Sequence, residues 1–265
     1  MRWRRAAALR YKTAVRLACA LVLLAACSST DGERGHFDAA TWGDALMAQT
    51  RKPDQLLLEL GLLEATAGLA PFDHQLQEEA TENATITEGS TANGDGVAVG
   101  LTALALGQGI ADAAGGDDAH SLEVLGESFL LTEGVVELLK HTVNRERPSK
   151  DSKQSFPSGH TSYAFNMATF LQRRMADSCD GWAGDLGYLA YLPAAYVGID
   201  RVEANRHWPS DVAFGAFLGV LLTNVVYDAH YGTAQQAGIF GVRGLSLEPA
   251  VMPDGGGGLS VALRF

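Results

Sequence analysis

Three short segments in the C-terminal half carry residues whose types and spacing suit chemistry on an anion. The first sets Lys140 seven residues before Arg147-Pro148, the second is Pro157-Ser158-Gly159-His160, and the third sets Arg201 six residues before His207 and ten before Asp211. Five basic residues lie between Lys140 and Lys153, and Arg201 and Arg206 add two more, in a chain whose net charge is −11. Positive charge gathered this way predicts a local anion pocket and not a basic surface. Lys140 continues the stripe of Phe129 and Val136, which turns it inward on a helix; the alternative is a surface lysine paired with Glu137. Ser158 is a favoured N-cap, and the first-turn N–H groups of the helix it would open make a seat for phosphate, with Gly159 letting the backbone come close. His207 and Asp211, four apart across a helix start, suit a carboxylate that accepts the proton of one ring nitrogen and aims the other outward; a surface pair has the same spacing. A metal on that pair is disfavoured by the surrounding lysines and arginines and by the lack of a second ligand cluster such as HExxH.

Helices must hold these segments. The periodicity predicts about six: Leu56–Leu69, Val97–Ala114, Ser121–Thr142, Ser158–Met175, Asp185–Ile199 and Pro209–Tyr227. The fourth shows one apolar face at Ala164, Met167, Ala168, Leu171 and Met175. Residues 78–96 are polar and read as a long loop. Two 16-residue apolar stretches, one between Asp95 and Asp112 and one between Asp211 and Asp228, fall short of the ~20 residues of a membrane span, so buried helices of a soluble bundle are expected. Residues 242–251 and 259–265 alternate around a glycine run and predict a β-hairpin packed on the helices. The fold class expected is mostly α, a bundle of about six helices with a C-terminal hairpin.

The N-terminus reads differently. Six basic residues and no acid precede an apolar stretch from Leu17 to Ala26, and Cys27 follows. That order reads as an export signal. Leu24-Ala25-Ala26-Cys27 resembles the lipobox of bacterial lipoproteins, which implies acylation at Cys27. With Ser28 next, it also implies an outer-membrane protein of the bacterial envelope facing the periplasm. The domains expected are a signal at 1–26, a tether at 27–53, a helical domain at 54–240 and the hairpin at 241–265. Without the signal the chain keeps 14 basic residues against 31 acidic ones, which argues against nucleic acid and an anionic membrane surface as partners. Only Cys179 would remain beside Cys27, so packing must stabilise the fold.

Taken together and in this order, the three segments resemble the type-2 phosphatidic acid phosphatase superfamily, which includes bacterial acid phosphatases and vanadium haloperoxidases. The family pattern is Lys-x6-Arg-Pro, Pro-Ser-Gly-His and Ser-Arg-x5-His-x3-Asp, and the resemblance covers roughly residues 120 to 230. It implies a metal-free, cofactor-free phosphoric ester hydrolase acting on a lipid phosphate or a soluble phosphomonoester or diphosphate. By the same resemblance Lys140, Arg147, Arg201, Ser158 and Gly159 hold the phosphate, His207 attacks phosphorus to form a phosphohistidine, Asp211 orients it, and His160 serves as acid and then base. Asp200 stands where the family has Ser; a carboxylate there would orient the Arg201 guanidinium or weaken its hold on phosphate. A non-catalytic lipoprotein scaffold that binds a phosphorylated ligand is the main alternative, and a vanadate-dependent haloperoxidase is a further one. Trp208 could wall the leaving-group pocket or serve the core, and His36, His74, His120 and His230 lie outside the motifs.

Overall fold

A computed structural model describes Ala45, residues 53–82, 92–115, 120–179 and 182–231, and the backbone of 244–251 and 257–264. The signal, Cys27, His36 and nearly all of the tether lie outside the described residues. The helices are α1 (Pro53–Leu69), α2 (Asp73–Glu82), α3 (Ala92–Gly115), α4 (Ser121–Val143), α5 (Gly159–Ser178), the single turn α6 (Trp182–Asp185), α7 (Tyr191–Glu203) and α8 (Pro209–Tyr231). Strands β1 (Gly244–Val251) and β2 (Gly257–Arg264) pair antiparallel, with Val251 opposite Gly257 at the turn. The molecule is mostly α, as expected.

Two elements differ from the expectation. Residues 78–82 and 92–96, read as loop, are helical, in α2 and at the start of α3. The stretch from Asp185 is also not one helix. A 3-10 segment, Leu186–Ala190, precedes α7, because the ring of Pro193 would clash with the carbonyl four residues back in a continuous helix and so belongs in a first turn.

Helix α5 is the axle of the bundle and is buried almost all round, from Thr161 to Arg174. Its apolar residues Ala164, Phe165, Met167, Ala168 and Phe170 meet Val124 of α4, Val197 of α7 and Val220 of α8 in one core. Glycines let α8 come unusually near: a Cβ on Gly219 would lie 2.9 Å from the Asn166 backbone nitrogen, and one on Gly215 would lie 2.6 Å from the Ser158 carbonyl. That approach brings the start of α8 against the first turn of α5. The core also buries polar pairs, among them Asn166 donating to Thr223 (2.6 Å) and Arg173 donating to Asp228 (2.6 Å).

The apolar stretches are longer as helices than their 16-residue cores. Both α3 and α8 are long and apolar enough to cross a membrane, and they differ in burial: 67% of the apolar window of α8 is inside the protein but only 28% of that of α3. The buried-helix expectation therefore describes α8. Helix α3 instead turns Val99, Leu104, Leu106 and Ile110 outward.

Candidate active site

Lys140 sits in the last turn of α4, which Asn144 ends in the left-handed conformation (φ 51°) that Asn tolerates. The loop that follows carries Arg145, Arg147 and Ser155, tied by Arg147 N–H to the Ser152 carbonyl (2.9 Å) and Ser155 N–H to the Arg145 carbonyl (3.0 Å). His160 lies in the first turn of α5 and Arg201 in the last turn of α7. A tight turn then returns the His207 N–H to the Arg201 carbonyl (3.3 Å), with Asn205 at φ 59° making the reversal. Pro209 starts α8, and Asp211 occupies its first turn. Four helix ends and two loops thus converge.

The ring of His207 is buried, 4% exposed, and its Nδ1 lies 2.6 Å from the Ser155 carbonyl oxygen. A carbonyl only accepts, so Nδ1 carries the proton and Nε2 keeps its lone pair. This corrects the direct contact expected with Asp211. The Asp211 carboxylate is fully buried and accepts from the Ser155 hydroxyl, from the Trp208 N–H (3.0 Å) and from Arg145 Nη1 (2.6 Å). Asp211 therefore reaches His207 through Ser155, holding the residue whose carbonyl holds the ring. Its bond to the N–H just before α8 is also the reciprocal half of a helix cap.

Ser158 opens α5 without capping it. Its hydroxyl pairs with Thr161 Oγ1 (2.8 Å), and its N–H donates to the Asp211 carbonyl (3.1 Å). The first-turn N–H groups of α5 still lack intrahelical acceptors. Gly159 is needed there, since a Cβ would lie 3.1 Å from Lys140 Nζ. Lys140 meets both sequence readings, pairing with Glu137 (3.0 Å) while facing Gly159. Arg147 is half-buried, and its Nε has no hydrogen-bond partner among the described residues.

The charges of these groups reach one another. Burial, then the Arg147 charge, then Lys140 and His160 push the His207 imidazole well below its ordinary value, against the Ser155 hydrogen bond. His160, its side chain 55% exposed, is pushed down by partial burial, Arg201, Lys140 and Arg147, while Asp95 pulls it up. Asp211 is pushed above the ordinary carboxylate range by burial, against Ser155, Arg145 and Trp208. Behind Lys140, burial raises the Glu133 carboxyl to about 6. Each mutual effect requires proximity, so Lys140, Arg147 and His160 lie near His207, and Arg201 lies near His160.

Residues 122–234 match the model of the PAP2 superfamily. That stretch holds Lys140, Arg147, Ser158, Gly159, His160, Arg201, His207 and Asp211, the whole set singled out for phosphate chemistry. The chain is 38% identical over 97 residues (37% of this chain) to a lipid A 1-phosphatase of Porphyromonas gingivalis, and 34% identical over 90 residues (31% of this chain) to lipid phosphate phosphatase 1 of Arabidopsis thaliana. These matches take in 21% and 27% of those relatives' own lengths. In fold it resembles the crystal structure of a transmembrane PAP2-type phosphatidylglycerolphosphate phosphatase from Bacillus subtilis, with TM-score 0.51 and 24% identity, over 66% of this chain and 94% of that one.

Outside the PAP2-matching stretch, sequence reasoning missed two contributors. Asp73 of α2 binds Arg145 Nη2 (2.6 Å) and the Ser210 N–H (2.9 Å), so Arg145 bridges Asp73 and Asp211 and locks α2 to the start of α8. Asp95, in the first turn of α3, pairs with Arg201 Nη2 (2.9 Å) and His160 Nε2 (3.4 Å). No motif marks either acid. Ser155 and Arg145, inside the stretch, were also missed: Arg145 counted only as one charge of the basic cluster. Trp208 lies edge-on to His74 (4.4 Å) and beside Arg145 (5.6 Å).

Proposed function

We propose that the chain is a metal-independent phosphatase of lipid phosphates that works through a phosphohistidine at His207. The observation that carries this is the tethering of His207 Nδ1 to the Ser155 carbonyl, which leaves the Nε2 lone pair free while the charges of Lys140 and Arg147 reach the ring. Nε2 attacks phosphorus, the bond from phosphorus to the ester oxygen breaks, and His160 gives that oxygen its proton. Water then attacks the phosphohistidine as His160 takes a proton back, which frees phosphate and restores His207. The cations and first-turn N–H groups hold the three non-bridging oxygens, where negative charge spreads during transfer. Their convergence favours phosphoryl chemistry, and the names of the relatives favour a lipid ester.

The lipid-anchor reading at Cys27 and the outward apolar residues of α3 support a chain that works against a membrane, with α3 lying on lipid. An envelope location with the catalytic cleft outside the cytoplasm follows from the signal. The test is phosphate release by the full chain in detergent with excess EDTA, on phosphatidate, an isoprenoid diphosphate and an aryl phosphate, with His207→Ala alongside. EDTA-resistant turnover that falls by on the order of 10³-fold or more in the variant is expected. Absence of turnover on every substrate would overturn the proposal and leave a phosphate-binding scaffold.

A further inference from the structure

The residue that departs from the family pattern, Asp200, is fully buried and has two contacts that run in different directions. Its Oδ1 accepts the Gly94 N–H at 3.1 Å, and its Oδ2 forms an ion pair, 2.9 Å from Arg201 Nη2, without a hydrogen bond. Only glycine fits at position 94, because a Cβ there would run into the Asp200 carboxylate and lie 2.9 Å from Arg201 Nη2. A buried carboxylate on a first-turn N–H is an N-terminal cap supplied from another helix, and it also meets the positive end of the helix dipole. A serine hydroxyl brings no charge to either contact. The next residue along α3 is Asp95, whose carboxylate touches both Arg201 and His160.

We infer that Asp95 is a positioning residue for His160, holding its Nε2 together with the Arg201 guanidinium, and that Asp200 sets Asp95 in place by fastening the first turn of α3 at Gly94. The roles of the two histidines rest on the function proposed above; the Asp200–Gly94–Asp95–His160 chain of contacts does not. The need for such a residue is electrostatic. The charges of Lys140 on α4, Arg147 in the loop before α5 and Arg201 on α7 act on His160, and His160 and His207 act on one another. Asp95, from α3, is a carboxylate set against them, 3.4 Å from His160 Nε2. Before substrate arrives, Asp95 is the acceptor that keeps a proton on Nε2; the leaving oxygen then takes its place. The Ser-to-Asp departure thereby gains a purpose: it couples the third motif to a helix that lies outside the PAP2-matching stretch.

The test uses the full chain in detergent with ¹⁵N-labelled histidine, comparing wild type, Asp95→Asn, Asp95→Glu and Asp200→Ser. The His160 resonance is followed through a pH titration, and the pH dependence of kcat/KM is measured on a soluble aryl phosphate. The His160 midpoint should fall by about one pH unit in Asp95→Asn, the effect of removing one opposite charge at this distance. Asp95→Glu should restore most of it, and Asp200→Ser, which touches His160 nowhere, should lower it part of the way. The alkaline limb of kcat/KM, which reports the free enzyme, should move down by the same amount while the acid limb stays. An unchanged His160 midpoint in folded Asp95→Asn overturns the inference, and so does a wild-type midpoint in Asp200→Ser should Asp95→Asn not fold. A wild type without turnover overturns the proposed function alone, since the resonance still judges the pairing.

Discussion

Replacing Asp211 by asparagine separates two architectures that sequence alone does not distinguish. If the carboxylate bonded His207 directly, its loss would release the ring tautomer, and in hydrolases built on a direct Asp–His contact that change costs roughly 10⁴-fold in kcat. Here the Ser155 carbonyl, 2.6 Å from Nδ1, performs that task and survives the substitution. Asp211 is a supporting group one residue removed, so kcat should fall only about 10- to 100-fold, the usual effect of an outer-shell partner. Stability should respond more sharply. The substituted side chain would keep the shape but turn an amide N–H₂ towards donors, losing charge-assisted bonds from Arg145 (2.6 Å) and the Ser155 hydroxyl. Arg145 remains paired with Asp73 and is 31% exposed, which limits the damage. A charged hydrogen bond of this kind contributes about 1.5–3 kcal/mol, so a loss of about 2–3 kcal/mol and a Tm lower by roughly 5–10 °C are expected. Thermal unfolding and steady-state kinetics on one preparation decide it. A fall of 10⁴-fold in a variant that is folded at the assay temperature would refute the Ser155 tether.

The same geometry bears on pH and on helix packing. Turnover needs His207 neutral and His160 protonated: activity is lost as pH falls through the lowered His207 value and lost as pH rises through the lowered His160 value. The kcat/KM profile should therefore be a bell lying below about pH 6.5, and a plateau extending to pH 8 would contradict it. Gly219→Ala should cost about 2 kcal/mol and lower Tm by roughly 4–8 °C, because the added Cβ meets α5 backbone that cannot give way. The same change at Gly61 of α1, with nothing within 4 Å, should stabilise slightly, and equal effects at the two sites would refute the close-approach account.

Local signals in the sequence determined most of the elements and the motif residues. The 3.6-residue stripe of α5, the Pro at the start of α8 and the glycine run between strands each act over a few residues, so they are legible in one dimension. Lys140, His160, Arg201 and His207 were legible because their chemistry and spacing are unusual together. What acts through the third dimension was not. Residues 78–96 looked like loop because their composition is polar, yet α2 forms where Gln77 Nε2 donates to the Val202 carbonyl (2.7 Å), a contact 125 residues distant. Asp73 and Asp95 carry no motif, and only the packing of α2 and α3 brings their carboxylates to Arg145 and to Arg201 and His160. His207 and Asp211, four apart, invited a direct hydrogen bond; the tertiary fold inserts Ser155 instead, since only folding shows which acceptor reaches a buried ring nitrogen first.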